Sequence, residues 1–129
     1  MRYLGIDYGT KGVGLAISDE SAQFAFPFAV FPNDQKLLEN ILDVIHDMNI
    51  AQIIVGDTRA EGGASNRITE EAEQFMSDLA GAINLQVHRV REAWSSVEAS
   101  RFAPKGKERD DAAAAAIILQ RFLDVHKAV

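Results

Sequence analysis

The sequence has no cysteine. Structural disulfides, thiolate nucleophiles and cysteine-type zinc sites are therefore excluded. It contains three prolines and one tryptophan. No apolar run approaches the ~20 residues needed to span a membrane, and no signal peptide precedes the first expected strand. A cytoplasmic protein without a membrane partner is expected. Basic residues are also in deficit, with a formal net charge of -6. That balance disfavours a chain built for non-specific nucleic-acid binding, which depends on cations displacing counterions. It leaves room for a local basic patch.

With 129 residues, the chain fits one domain, 1–129. Two hydrophobic periods alternate along it. Arg2 to Asp7, Gly12 to Ser18 and roughly Phe24 to Phe31 read as strands separated by short turns, which predicts antiparallel pairing. Lys36 to Met48 reads as a helix with Leu37, Leu38, Ile41, Leu42, Ile45 and Met48 on one stripe. "AQIIVG" is a short buried strand. Ile68, Ala72, Phe75, Met76 and Leu79 mark a second helix, ending near Gly81. "NLQVHRV" is a fifth strand. Ser95 and Glu98 form a capping box for a further helix, and a last helix runs from about Asp110 to His126. The expected order is βββαβαβαα. Three consecutive strands suggest a meander, and later strands that each follow a helix suggest parallel crossovers beside the first. No internal repeat or linker is visible.

In that arrangement the carboxyl ends of the first, fourth and fifth strands share one rim, where open α/β sheets bind ligands. Acids sit there. Asp7 ends the first strand, Asp57 follows "IIVG", and Glu92 ends the fifth strand. Asp111 lies in the first turn of the last helix, at helical spacing from Ala115, Ile118 and Phe122, and so on its apolar face. The alanines below it allow close approach to the sheet. Converging carboxylates repel and are costly to desolvate, and divalent cations relieve both effects. Hard oxygen ligands suit Mg²⁺ or Mn²⁺. Two such ions ~3.5–4 Å apart can activate a water and stabilise the leaving oxygen of a phosphodiester. Each acid also has a plainer role: Asp7 as a turn former, Asp111 as a helix-dipole partner, Glu92 and Asp57 as polar loop residues. The histidines have no metal-binding spacing partner; His46 and His126 fall on solvated helix faces and His88 points off the fifth strand. Trp94, beside Glu92, is a candidate for base stacking, though a Trp there more often packs where strand meets helix.

The motifs "GIDYGTKGVGLAISD", "IIVG" followed by "EGGASNRITEEAEQF", "REAWSSVEASR" and "DDAAAAAIILQRFL" resemble, in order, the four blocks of the YqgF/RuvX family. Its members are described as Holliday-junction resolvases and as pre-ribosomal-RNA nucleases. The resemblance covers nearly the whole chain and implies a ribonuclease H-like fold: a five-stranded mixed α/β sheet with helices on both faces. It implies an acidic triad at Asp7, Glu92 and Asp111, with Mg²⁺ or Mn²⁺, two ions in all. Asp57 is a candidate fourth ligand, since related resolvases outside the family place a carboxylate there. The implied chemistry is phosphodiester hydrolysis giving a 5′-phosphate, in ribosomal-RNA precursors or, alternatively, four-way DNA junctions. Two departures touch substrate positioning. Asp57 and Thr58 replace a Leu-Pro pair, and Arg91 and Ala93 flank Glu92 where the family has Asp and Arg.

Thr10 and Lys11 are candidate phosphate contacts, and Lys11 reads equally as an exposed turn residue. Arg101, Lys105, Lys107 and Arg109 form a basic stretch that can track a nucleic-acid backbone or remain a solvated loop. Two other classes stay open. An actin-like ATP-binding protein shares the Asp-x-Gly-Thr turn but uses two domains. A catalytically silent nucleic-acid-binding protein would keep the fold alone. The substrate is structured RNA or branched DNA. No apolar dimer patch stands out, so a monomer or weak homodimer is expected.

Overall fold

A computed structural model describes residues 1–57, 67–91 and 111–127. Within them the chain forms β1 (Arg2–Asp7), β2 (Gly12–Ser18), β3 (Ala25–Pro32), α1 (Leu37–Asp47), β4 (Ile50–Asp57), α2 (Arg67–Ala82), β5 (Gln86–Arg91) and α3 (Asp111–Lys127). One sheet takes the order β3-β2-β1-β4-β5. β1, β2 and β3 form an antiparallel meander, and β4 and β5 add parallel strands on the other side of β1. The expected mixed sheet is present. The helix expected from the Ser95 capping box lies outside the described residues.

Local chemistry sets the corners. A Cβ on Gly9 would lie 2.6 Å from the Gly12 carbonyl oxygen, so the β1–β2 turn closes only around glycine. Asn33 clasps that turn from the side: its Nδ2 donates to the Gly9 carbonyl (2.7 Å) and its backbone N–H to that of Lys11 (3.1 Å). At the far end of α1, Asn49 adopts φ 53°, the left-handed exit that releases the chain into β4. α2 ends at Ala82, next to Gly81, as expected. Nothing presses on Gly81, whose Cβ would have no neighbour within 4 Å.

The period of two in the strands divides the core into two layers. Leu4, Ile6, Val13, Leu15, Ile53 and Val55 face α1 and α2, which contribute Leu37, Ile41, Val44, Phe75, Met76 and Leu79. Across the sheet, Ala16 and Ile54 pack with Ala115, Ala116, Ile118, Leu119, Phe122 and Leu123 of α3. Helices therefore cover both faces. α3 is buried at every residue from Ala112 to Leu119, not only along one stripe. An apolar, small-residue helix of this kind is suited to a fully enclosed position.

Candidate metal-binding and nucleic-acid-binding site

The ladders define the rim on which the predicted acids were placed. Ile6 pairs with Val55, so Asp7 and Asp57 end neighbouring parallel strands. Asp57 in turn pairs with Arg91, the last residue of β5. Three strand ends thus lie side by side, as expected.

The fourth position follows from how α3 crosses β1. Tyr3, Gly5 and Asp7 alternate onto the α3 face. The Tyr3 and Phe122 rings meet edge-on with centroids 5.9 Å apart. Two residues further along the strand, a Cβ on Gly5 would lie 2.8 Å from Leu119 Cβ and 3.0 Å from the Ala115 carbonyl. The helix therefore runs antiparallel to β1. From Gly5 to Asp7 the strand advances ~6.6 Å. From Ala115 back to Asp111 the helix retreats ~6 Å. The two steps match, and the start of α3 arrives level with Asp7. Gly5 and the alanines together permit this approach.

Asp7 is 5 % exposed. A carboxylate so deeply placed needs cations or hydrogen-bond donors around it. The positive end of the α3 dipole lies in that direction and favours an anion. Asp7 is a hard oxygen donor of the type that Mg²⁺ and Mn²⁺ take, and the backbone brings the chain positions of Asp57 and Asp111 to the same rim. The residues fit such an ion. Glu92 follows Arg91 directly but lies outside the described residues, as do the side chains of Asp57 and Asp111. Among the described residues no group of three ligand-type side chains forms.

Thr10 and Lys11 are exposed at the tip of the β1–β2 turn, three and four residues from Asp7. Arg101, Lys105, Lys107 and Arg109, with Trp94, lie outside the described residues. His46 is exposed on α1. His88 is structural: its Nε2 is 2.8 Å from Gln52 Oε1, and its ring lies on Phe122 with centroids 4.9 Å apart. Away from the rim, Asp19 in the β2–β3 loop is a carboxylate with a shifted pKa. Its pKa is lowered to about 2 by the Ser21 hydroxyl and by the Phe24 and Gln23 amides. That is a loop clasp, remote from the rim.

A groove of about 420 Å³ opens on the α1–α2 face beside Tyr8 and Phe75, whose rings are 5.4 Å apart. Its carboxylates, Asp34, Glu71 and Asp78, disfavour a phosphate. It is separated from Asp7 by the sheet. The residue that sequence reasoning missed is Asn33. It reads as an ordinary turn former, and its hold on the β1–β2 turn is a tertiary contact with no local signal.

The model of the family described as "RuvX: Holliday junction resolvase" matches residues 1–125. The chain belongs to the RuvX family. A relative from Maridesulfovibrio salexigens is 33% identical over 132 residues, covering 95% of this chain and 98% of its own. One from Chlorobium luteolum is 35% identical over 136 residues, covering 98% and 96%. Both are named "Putative pre-16S rRNA nuclease". Among solved structures, RuvC of Thermus thermophilus superposes with a TM-score of 0.67 at 15% identity, covering 99% of this chain and 97% of that one. A fowlpox virus resolvase bound to Holliday junction DNA gives 0.62 at 13% identity, covering 97% and 98%. These likenesses establish the RuvC-type, ribonuclease H-like fold for this RuvX protein.

Proposed function

We propose that this RuvX protein is a divalent-metal-dependent nuclease that hydrolyses phosphodiester bonds in precursor ribosomal RNA, at the 5′ end of pre-16S rRNA. The observation that carries the nuclease reading is the buried carboxylate of Asp7 at the junction of β1, β4 and the start of α3. The names of the two relatives support RNA as substrate. Such a substrate places the enzyme in the cytoplasm.

In this reading Asp7, Glu92 and Asp111 hold Mg²⁺ or Mn²⁺, two ions in all, and Asp57 is available as a further ligand. When bound, the cations lower the pKa of water and offset charge on the leaving oxygen. The protein's own groups do the rest. Thr10 and Lys11 orient the phosphate from the turn that Asn33 and Gly9 hold in place. The stretch containing Arg101, Lys105, Lys107 and Arg109 follows the flanking backbone. The oxygen of one water bonds to phosphorus, the bond to the 3′ oxygen breaks, and a proton passes to that oxygen, leaving a 5′-phosphate.

A second reading, cleavage of four-way DNA, is favoured by the family description and by the RuvC-type fold. Labelled structured RNA, linear duplex DNA and a four-way DNA junction, incubated side by side with Mg²⁺ or Mn²⁺, separate the two. Cleavage of RNA, lost in Asp7→Asn, supports the first reading. Cleavage of the junction alone establishes the second. No cleavage of any substrate at any metal concentration leaves a silent binding protein.

A further inference from the structure

The formal charge of the chain is unevenly spread. The stretches 34–47 and 67–82, which contain α1 and α2, each carry four carboxylates against one cation. Together they account for the whole net charge of -6, and the remainder of the chain is balanced. Within this acidic layer lies the groove of about 420 Å³. Its floor is apolar: Leu37 and Phe75 are buried, and Tyr8 and Leu38 are half-buried. Its walls carry exposed carboxylates. Glu71, Phe75 and Asp78 fall on one stripe of α2, four and then three residues apart, so Glu71 and Asp78 stand ~10 Å apart along the helix. Asp34, just before α1, belongs to the opposite wall. Asp34 and Asp78 bond to neutral donors, the Lys36 N–H and Gln74 Nε2, both at 2.9 Å.

We propose that this groove docks a basic segment of a partner protein, an extended stretch with one aliphatic or aromatic side chain between two cations. Three observations select that occupant. The first is charge. A phosphate backbone is repelled by this layer, as is a second copy of the chain with its own net charge of -6, whereas a cationic segment is drawn in. The second is spacing. An extended chain advances ~3.3 Å per residue, so cations three residues apart match the ~10 Å between Glu71 and Asp78. The third is the floor. A hydrated metal ion gains nothing from apolar walls, whereas an aliphatic or aromatic anchor is held by them. Asn33 lines the groove and also bonds to the Gly9 carbonyl. The docked segment therefore sits beside the turn that carries Thr10 and Lys11.

This inference does not depend on the nuclease reading, and its test needs no catalysis. Labelled peptides of ~10 residues, with Lys or Arg three residues apart around a Leu, Phe, Tyr or Trp, are titrated with the full chain up to ~1 mM in ~50 mM salt, and binding is followed by fluorescence anisotropy. Saturable 1:1 binding is expected. Asp34→Asn with Asp78→Asn keeps both hydrogen bonds, since an amide oxygen accepts as a carboxylate does, and is expected to raise Kd at least ~10-fold. Asp43→Asn with Asp47→Asn removes the same charge from the same layer outside the groove, and is expected to raise it less than ~3-fold. Leu38→Ser changes no charge and is expected to raise it ~5-fold. Circular dichroism checks each variant for folding; should Leu38→Ser fail, a peptide with Gly in place of its anchor makes the same test. No binding by any of the peptides overturns the proposal. So does an equal loss in the two charge pairs, which marks attraction to the whole layer. Binding indifferent to both Leu38 and the anchor overturns it as well. Spermine bound through Asp34 and Asp78, with no peptide bound, overturns it in favour of a small organic cation. Loss of cleavage with peptide binding intact would count against the nuclease reading alone.

Discussion

Gly5→Ala tests the contact that sets α3 against β1. The added methyl would stand 2.8 Å from Leu119 Cβ and 3.0 Å from the Ala115 carbonyl. Carbon atoms pack comfortably at ~3.5–4.0 Å. The helix must therefore retreat by about 1 Å, because one of the obstacles is its own backbone. Overpacking of this kind costs ~1–3 kcal/mol. For a domain of this size that lowers the melting temperature by roughly 3–5 °C per kcal/mol. The same retreat moves Asp111 away from Asp7, and a displacement of ~1 Å at a reacting centre can cost ~100-fold in rate. Thermal unfolding followed by circular dichroism, paired with cleavage assays well below the transition, separates the two effects. Activity is expected to fall by more than the folded fraction does. Gly81→Ala is the control: it meets no atom within 4 Å and replaces glycine within a helix. It should leave stability unchanged or raise it by up to ~1 kcal/mol. A Gly5→Ala protein that melts and cleaves like wild type would refute the close-contact argument.

Three further outcomes are expected. Asp19 should titrate at about 2, below its ordinary 3.8. Because the folded pKa is depressed, its contribution to stability is complete above 3.8 and is lost as pH falls through about 2; carboxyl chemical shifts followed by NMR over that range would show it. Asn33→Ala removes the Nδ2 bond to Gly9, loosening the turn that carries Thr10 and Lys11. It should raise KM several-fold with a smaller change in kcat, and an unchanged KM would count against phosphate contact from that turn. Gln120→Ala frees the Ala25 amide and the Gln23 carbonyl, at ~0.5–1.5 kcal/mol per hydrogen bond. Hydrogen exchange at Ala25 should then accelerate at least ~2-fold.

The strands, α1 and the sheet order were legible because hydrophobic period and connection length bear directly on them. Leu4 and Ile6 alternate with Gly5 and Asp7, and that alternation alone separates the two core layers. Asp7 and Asp57 at strand ends and Asp111 at a helix start follow from the same pattern. Other features depend on what surrounds an element, which periodicity does not encode. The aromatic β3 read as a strand of the meander, with no signal for how far its side chains are covered. Its Phe26, Phe28 and Val30 are exposed, and among the described strands it stands at the edge of the sheet. α3 looked amphipathic in spacing, while Ala112 to Leu119 are enclosed on every side. Asn33 and Gln120 act across 24 and 95 to 97 residues of chain, respectively, beyond the reach of any local motif.

The most direct test of the central claim is Mn²⁺ binding measured by calorimetry on the wild-type chain and on Asp7→Asn, Glu92→Gln and Asp111→Asn, each checked for folding. The account predicts that all three substitutions weaken binding at least ~10-fold, since their carboxylates share the same ions. Unchanged affinity in any two of them would contradict it.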